Sequence, residues 1–343
     1  MTQTTLLTAR RAISSMAIAV LTLTASSTWA QTVLKYSRWL PPKHAINVEV
    51  LEPWAADVKR VTEGRVTLEF LPKAVATPAA QFDVIHDGLA DFGVILPGYT
   101  PGRFPMFDLG ELPLISSDVS ELAPAFYRVY AKYLAPLKPF AGTHVLTVFS
   151  TTPNHLLTRS GLVTQMEDTK GMKMRAPSKS SVAIIQAIGA VAIQKPISEM
   201  YELAATGVVD GTFNARTAVF DWKLNKVMPY MTLVKGGIGQ PVMAFLVNEK
   251  KWNSISAADR DAIMAISGEK LAALAGKSYA AHELAAQQKL SADGMTIKDA
   301  SPKLMAQLQE ALKPLGQAWV DSAKKAGMTN PEAALAEFRA DVK

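Results

Sequence analysis

The sequence predicts an α/β protein of about two domains. Segments typical of β-strands alternate with segments typical of amphipathic helices along most of the chain, which is the pattern of mixed α/β folds. The 343 residues correspond to about two domains at roughly 150 residues each. Hydrophobic residues make up 49% of the chain and charged residues 19%, a globular balance that excludes a wholly disordered protein.

The first 30 residues are predicted to form a secretory signal peptide. Arg10 and Arg11 precede an apolar run over residues 12–25, and residues 28–30 (TWA) fit cleavage near Ala30. The apolar run is shorter than the roughly 20 residues needed to span a bilayer, which disfavours the alternative of an uncleaved anchor. The sequence after the two arginines favours the general secretory route over twin-arginine export. We therefore expect a periplasmic protein.

In the first half of the mature chain, strands are predicted where β-forming apolar residues cluster or alternate. Helices are predicted where apolar residues recur every three to four positions. The predicted strands cover residues 33–39, 65–70, 92–96 and 145–150. The predicted helices cover residues 46–62, 78–87 and 118–137, the last capped by Asp118.

In the second half, strands are predicted over residues 171–176, 208–213 and 242–247. Helices are predicted over residues 178–188 and 199–206, the second capped by Ser198. Residues 256–292 lack proline and are rich in alanine, which predicts one helix on the order of 50 Å long, with Gly268 and Gly276 as kink sites. Such a helix is long enough to lie across two domains. Another helix is predicted over residues 301–325, broken at Pro314.

Composition and motifs argue against several functions. The chain has no cysteine, which excludes disulfides, thiolate nucleophiles and cysteine-ligated metals. Its net charge of +6 is scattered, without the basic tract typical of a nucleic-acid-binding protein. None of the five histidines has another histidine at metal-binding spacing, and phosphate-loop, dinucleotide and hydrolase motifs are absent. We expect no catalytic residue, no metal and no cofactor.

Two residues at predicted strand ends are candidates for ligand binding. Arg175 ends a strand just before Ala176 and Pro177, where its planar guanidinium can form paired hydrogen bonds with a carboxylate. The alternative is a surface arginine in an ion pair. Asn214 follows a short apolar strand and can both donate to and accept from a ligand, or can cap the next helix.

Two further candidates are more ambiguous. His155 follows Pro153 and Asn154 in a predicted loop, where it can donate to an anion or form a hydrogen bond with the backbone. Trp39 lies at the end of the first predicted strand, where it can stack on a ligand or fill the core.

Several motifs resemble those of the DctP family, the periplasmic solute-binding proteins of TRAP transporters. Residues 169–177 (TKGMKMRAP) are similar to the family signature LKGLKIRVP. Residues 198–201 (SEMY) and 207–214 (GVVDGTFN) are similar to its SEVYTALQQGVVDGQEN segment. Residues 63–66 (EGRV) and 87–92 (DGLADF) resemble its TGGRV turn and G-x-x-D strand entry. The motifs occur in the family's order and spacing along the whole mature chain.

This resemblance implies two α/β lobes that close over a ligand at a hinge, with a long helix bracing both. On that basis the first lobe is expected to comprise residues 31–152 and 241–280, and the second residues 153–240 and 281–343. The family arginine that grips the substrate carboxylate falls on Arg175, and the family amide falls on Asn214. The implied partners are a small organic acid and a membrane permease that uses an ion gradient.

The sequence departs from family members that bind sialic acid. Where those members have polar or charged residues, this chain has Trp39, His155 and, near a third position, Leu96. A sugar acid would leave hydroxyl groups unpaired against such residues, which is costly. We therefore expect a compact, apolar or aromatic carboxylate as the ligand. Tyr99, Ile197 and Phe213 are further candidate pocket residues because they neighbour these motifs.

Other functions remain open at the level of sequence. A binding protein of an ATP-driven importer would have a similar two-lobe shape, although it would not need the brace helix or the arginine. A binding protein that serves a sensor kinase would have the same ligand site. A periplasmic enzyme would require a nucleophile or a metal-binding set, which the motifs do not supply.

Overall fold

Two β-sheets organise the molecule, one in each lobe. The computed structural model describes residues 31–342, so the predicted signal peptide lies outside the described residues. The first sheet has five strands in the order β2-β1-β3-β10-β4, and the second has six in the order β11-β9-β5-β8-β6-β7. The two-lobe α/β fold expected from the resemblance is therefore confirmed.

The strands are short and mostly buried. Those of the first sheet are β1 (Thr32–Ser37), β2 (Val66–Phe70), β3 (Phe92–Ile95), β4 (Thr143–Ser150) and β10 (Val242–Asn248). Those of the second are β5 (His155–Thr158), β6 (Lys173–Ala176), β7 (Val191–Gln194), β8 (Gly211–Asn214), β9 (Tyr230–Leu233) and β11 (Thr296–Asp299).

Twelve α-helices in residues 31–342 cover the two sheets. Their bounds are α1 (Glu52–Val61), α2 (Gln81–His86), α3 (Val119–Val129), α4 (Lys179–Ala187), α5 (Met200–Ala205), α6 (Arg216–Asp221), α7 (Glu249–Asn253), α8 (Ala257–Ala265), α9 (Glu269–Ala292), α10 (Pro302–Leu312), α11 (Pro314–Lys325) and α12 (Pro331–Ala340). A π-helical turn over Ile46–Leu51 leads into α1, and 3-10 helices over Pro97–Tyr99 and Pro105–Glu111 follow β3.

Strand direction brings one edge of each sheet to the boundary between the lobes. In the first sheet β1 and β3 are parallel, while β10 runs antiparallel to both β3 and β4. The carboxyl ends of β1, β3 and β4 therefore share an edge with the start of β10. In the second sheet β6 and β8 are parallel and β5 is antiparallel to β8, so the ends of β6 and β8 lie beside the start of β5. Loops that follow such strand ends commonly hold ligands.

The brace helix differs from the sequence expectation. The continuous helix predicted over residues 256–292 is two helices, α8 and α9, separated at Gly268. Gly268 has φ +61°, and its amide donates to the carbonyl of Leu146. Helix α9 has 24 residues, which gives about 36 Å at about 1.5 Å per residue. It packs against α3 of the first lobe and α6 of the second, so it spans both.

The C-terminal helices divide between the lobes, whereas the family resemblance led us to expect residues 281–343 in the second lobe. Helix α10 contributes Leu304 and Leu308 to the core beside the second sheet. Helices α11 and α12 return to the first lobe, where Trp319 and Phe338 pack with apolar residues of β4 and β10. The chain turns between α10 and α11 at Pro314, as predicted. Packing of apolar faces decides this return, and no local pattern encodes it.

Within the described part of the chain, no helix combines the length and the apolar character that a membrane span requires.

Candidate functional site

A cavity lies between the facing edges of the two sheets. The volume of this cavity is about 60 Å³. Aromatic side chains supply much of its wall, namely Trp39, Tyr99, Phe213, Trp222 and Tyr279. Polar side chains contribute His44, Thr151, Thr152, Asn154, Arg175, Asn214 and Thr217. Because both lobes contribute, the wall is complete only when the lobes are close together.

Arg175 is the buried cation of this cavity. It lies on β6 and is 2% exposed. Its Nε donates to the carbonyl of Lys195 at 2.7 Å, and its Nη2 makes a long contact of 3.5 Å with the hydroxyl of Tyr99. Among the described residues, no carboxylate forms an ion pair with it. Burial lowers the pKa of the guanidinium, which nevertheless stays charged because its ordinary pKa is so high.

Tyr99 connects the two lobes beside Arg175. It belongs to the 3-10 helix after β3 in the first lobe, whereas Arg175 belongs to the second. The Tyr99 hydroxyl also accepts from the backbone N–H of Ile197 at 3.3 Å. Ile197 lines the same cavity and begins the 3-10 helix that follows β7 in the second lobe. The phenolic oxygen is thus an acceptor for two groups of the opposite lobe.

Asn214 lies at the end of β8 and is 4% exposed. It does not cap the following helix, because Ala215 occupies the N-cap position of α6. Its Oδ1 is buried without a hydrogen-bond partner among residues 31–342. An unpaired buried polar atom is costly, and Asn and Gln oxygen and nitrogen atoms are readily interchanged by rotation. Phe213, the preceding residue, is also buried and lines the cavity.

His155 does not line the cavity. It is the first residue of β5 rather than part of a loop, and its side chain lines a separate crevice with Arg216 and Val234. Its Nδ1 accepts from the backbone N–H of Val234 at 3.2 Å. Burial and the nearby Arg216 lower the pKa of His155 to about 3, so the ring is neutral near pH 7. The structure therefore shows the backbone-bonding alternative for this residue.

Trp39 lines the cavity with its ring while its polar atom is occupied elsewhere. Its Nε1 donates to the carbonyl of Val94 at 2.8 Å. Its ring lies 6.2 Å from that of Tyr99, in a tilted arrangement. The cavity therefore meets the apolar part of the indole.

His44, Trp222 and Tyr279 line the cavity, although no sequence pattern singled them out. They come from three separate places, the loop after β1, the residue after α6 and the middle of α9, so no local spacing groups them. The ring of His44 meets the ring of Tyr279 edge-on at 6.3 Å. Burial lowers the pKa of His44 to about 4, with a further contribution from His282.

A second buried polar cluster lies beside the cavity. Glu111, in the 3-10 helix Pro105–Glu111, accepts a hydrogen bond from Ser178, the N-cap residue of α4. Burial raises the pKa of Glu111 well above the usual carboxyl range, and the nearby Asp108 raises it further. No cluster of three or more histidine, aspartate or glutamate side chains suited to a metal ion occurs within residues 31–342.

Comparison with known proteins agrees with this architecture. The sequence profile of DctP, the bacterial extracellular solute-binding protein family 7, matches residues 36–322. The outer membrane transporter protein TsaT of Comamonas testosteroni is 27% identical over 327 residues, covering 94% of this chain and 95% of the relative.

Solved structures with a similar fold are also solute-binding proteins of TRAP transporters. A TRAP periplasmic solute-binding protein of Bordetella bronchiseptica, with bound (R)- and (S)-mandelate, is 35% identical, with a TM-score of 0.87 over 90% of this chain and 98% of that chain. A marine metagenome TRAP solute-binding protein specific for aromatic acid ligands, in complex with 3-hydroxybenzoate, is 25% identical. Its TM-score is 0.85, and the match covers 91% of this chain and 98% of that chain. The family resemblance seen in the motifs is confirmed, and the chain belongs to the DctP family of bacterial extracellular solute-binding proteins, family 7.

Proposed function

We propose that this protein captures a small aromatic or apolar carboxylate outside the cytoplasm and delivers it to a TRAP-type membrane permease. In this role it binds and releases its ligand unchanged and catalyses no reaction. Arg175 holds the carboxylate, and closure of the two lobes shields the ion pair from water.

The observation that carries the proposal is the buried Arg175 without a carboxylate partner among the described residues. A buried cation without a counter-ion is unfavourable, because the surrounding protein does not replace its hydration. A ligand carboxylate would supply the missing charge and the hydrogen-bond acceptors for the guanidinium. The pairing also strengthens as water leaves the closing cleft.

The neighbours of Arg175 fit a carboxylate. The Tyr99 oxygen already accepts from Arg175 and Ile197, so its own hydrogen remains available to donate to an anion. Asn214 supplies an amide at the adjacent strand end, where its Nδ2 can donate to the second carboxylate oxygen. Together these groups would bind one carboxylate between the second lobe and Tyr99 of the first.

The rest of the wall favours an aromatic or apolar body for the ligand. Trp39 presents its ring with its N–H already bonded, and Phe213 and Trp222 add further ring surface. A polyhydroxylated sugar acid would leave several hydroxyl groups unpaired against these rings. Mandelate and aromatic acids are bound by the structural relatives that are 35% and 25% identical, which supports this class.

The permease, the periplasmic location and the signal peptide are parts of the same proposal. Membership of an extracellular solute-binding family supports export of the chain. An ATP-driven importer or a sensor kinase could use the same ligand site, so the ligand alone does not identify the partner. Uptake by vesicles that contain the candidate permease separates these cases. A TRAP system requires an ion gradient, and an ATP-driven importer requires ATP.

The ligand class is tested by isothermal titration of the purified protein. Mandelate, phenylacetate and benzoate are compared with a sugar acid, and with phenylacetamide as a neutral analogue of phenylacetate. We expect binding of at least one aromatic acid and none of the amide. Arg175→Gln should abolish this binding, whereas Arg60→Gln, which removes an exposed cation paired with Asp57, should not affect it. Tight binding of the sugar acid, or binding that survives Arg175→Gln, would refute the proposal.

Recovery of the ligand tests the absence of catalysis. An aromatic acid incubated with the protein should be recovered unchanged in amount and structure, as measured by chromatography. Conversion of the acid to a product would instead favour a periplasmic enzyme.

A further inference from the structure

The cavity has a second group of polar side chains, whose contacts differ from those of Arg175. Arg175 contacts Tyr99 and Lys195, whereas His44 contacts Ile46 and Tyr279. His44 belongs to the first lobe, and Tyr279 belongs to the brace helix α9. Both side chains line the cavity.

The tautomer of His44 is set by the backbone. Its Nδ1 accepts a hydrogen bond from the N–H of Ile46 at 3.2 Å, so in the neutral ring the hydrogen resides on Nε2. Burial keeps the ring neutral near pH 7, because it lowers the pKa to about 4. His44 is therefore a fixed donor with a single N–H.

That donor lacks a good acceptor among residues 31–342. The carboxylate of Asp221 is the charged group facing it, and the Nε2–Oδ2 distance of 3.9 Å is too long for a hydrogen bond. The neighbouring hydroxyl of Tyr279 has only the sulfur of Met243 as its acceptor, at 3.7 Å. Sulfur is a weak acceptor, so two adjacent donors at this end are poorly satisfied within the described chain.

A hydroxyl group on the ligand would satisfy this arrangement. Its oxygen can accept from His44 Nε2. Asp221 does not itself line the cavity but precedes the lining residue Trp222, and its carboxylate, 3.9 Å from the same nitrogen, is the acceptor for the hydroxyl hydrogen in this arrangement. An ether oxygen can accept but cannot donate, and a methyl group can do neither. The arrangement therefore discriminates among ligands by the group at this position.

From this geometry we infer that His44 is a specificity-determining residue, which selects aromatic acids that carry a hydroxyl group away from the carboxylate-binding atoms of Arg175. Tyr279 supports His44 by its edge-on ring contact, and its hydroxyl is a second donor at the wall of the same cavity. This inference rests on the proposed function, because it assumes that the ligand carboxylate pairs with Arg175.

The test measures dissociation constants by titration for three sets of acids. The first set is phenylacetate with its ring-hydroxylated forms, namely 3- and 4-hydroxyphenylacetate. The second contains the corresponding methoxy acids, and the third the corresponding methyl acids. In the wild-type protein, at least one hydroxylated acid should bind about tenfold more tightly than phenylacetate and than its own methoxy and methyl analogues.

The variant His44→Phe keeps a ring beside Tyr279 but removes the donor. It should lose this preference, about a tenfold effect on the hydroxylated acid, while its affinity for phenylacetate changes little. His44→Gln, which retains an N–H donor, should recover part of the preference. Tyr279→Phe keeps the ring and removes only the hydroxyl, so a smaller loss confined to the hydroxylated acid is expected. Circular dichroism and melting temperature establish that each variant is folded.

The outcomes separate the two ideas. If the acids bind through Arg175 but hydroxylated and parent acids have equal affinity in wild-type protein, the inference about His44 is wrong and the proposed function stands. The inference also fails if His44→Phe weakens all acids equally. If none of the aromatic acids binds the wild-type protein, the proposed function fails and the inference fails with it.

Discussion

Ser178 donates its hydroxyl hydrogen to Glu111, and this hydrogen bond crosses from the second lobe to the first. Ser178 follows Arg175 by three residues, so the bond lies directly behind the proposed carboxylate site. Gly98, next to Tyr99, completes the contact from the first lobe. A Cβ atom at Gly98 would lie 2.6 Å from the Cβ of Ser178 and 2.7 Å from Oε1 of Glu111. Closure thus buries a carboxyl group in a space with no room for an additional methyl group.

Glu111→Gln should reduce the pH dependence of stability. Burial raises the pKa of Glu111, so its contribution is fully present below the usual carboxyl range and is lost as pH rises through its elevated pKa. Within that window, the wild-type protein should lose up to about 1 kcal/mol of unfolding free energy per pH unit from this group. Gln cannot ionise. Urea denaturation should therefore show that the free energy of unfolding of the variant, relative to that of wild type, is higher at about pH 8 than at about pH 5. Glu310→Gln, on an exposed helix face, is the control. Parallel pH profiles for Glu111→Gln and wild type would contradict this prediction.

Gly98→Ala should weaken ligand binding by obstructing closure. The new methyl group would overlap Ser178 and Glu111 across the lobe boundary, and the lobes must separate to relieve it. We expect about a tenfold or greater increase in Kd for the aromatic acid, since an overpacked contact typically costs about 1–3 kcal/mol. Gly161→Ala is the matched control, because a Cβ there meets no atom within 4 Å. Equal affinities of the two variants, measured by titration, would show that this contact does not limit closure.

Arg175→Gln should separate binding from stability. Removal of a buried cation without a carboxylate partner relieves a desolvation cost, so the ligand-free variant should unfold at equal or higher urea concentration. The Gln amide can still donate to the carbonyl that Nε now contacts. The thermal stabilisation by an aromatic acid should disappear, because its carboxylate has lost its partner. A loss of more than about 3 kcal/mol in ligand-free stability would instead mean that Arg175 is chiefly structural.

Gly276→Ala tests the packing of the brace helix α9. A Cβ at Gly276 would lie 2.7 Å from the carbonyl oxygen of Val119 and 3.1 Å from the Cβ of Ala123, both on α3. Alanine has the higher helix propensity, worth about 1 kcal/mol, but the backbone oxygen cannot easily move away. We expect net destabilisation of about 1–3 kcal/mol in urea denaturation, with Gly161→Ala close to wild type. Stabilisation by the substitution would show that α9 can shift away from α3 at little cost.

Much of the fold could be predicted because its strands and caps carry local signals. Strands β1, β2, β3, β4, β6, β8 and β10 fall within or beside predicted segments, and Asp118 caps its helix as predicted. Strands β5, β7, β9 and β11 were missed, although β3, β6 and β8, which also have four residues, were found. The prediction that Ser198 caps a helix was also wrong, because helix α5 begins at Met200, directly after a 3-10 helix that includes Ser198.

The division at Gly268 shows why the rest could not be predicted. The surrounding alanine-rich pattern favours one helix, but tertiary contacts at Gly268 end the first helix and begin the second. Its amide donates to the carbonyl of Leu146, and its carbonyl accepts from the hydroxyl of Thr147. Both partners belong to β4, more than a hundred residues away. Tertiary packing here overrides the local helix propensity.

The candidate site was predictable where its residues end strands. Arg175 and Asn214 follow from strand endings and family motifs, and both line the cavity together with Trp39 and Tyr99. His155 pairs with Asn214 in the backbone register, yet its side chain lies in another crevice. His44 and Tyr279 meet only in three dimensions, because one follows β1 and the other lies in α9.

The position of β10 has a consequence for how the chain folds. This strand lies between β3 and β4, yet β4 ends at Ser150 and β10 begins at Val242. The central pairing of the first sheet must wait until most of the second lobe has been synthesised. Such high contact order predicts slow folding. A fragment that ends before Val242 would leave the facing edges of β3 and β4 unpaired, and exposed strand edges of this kind promote aggregation.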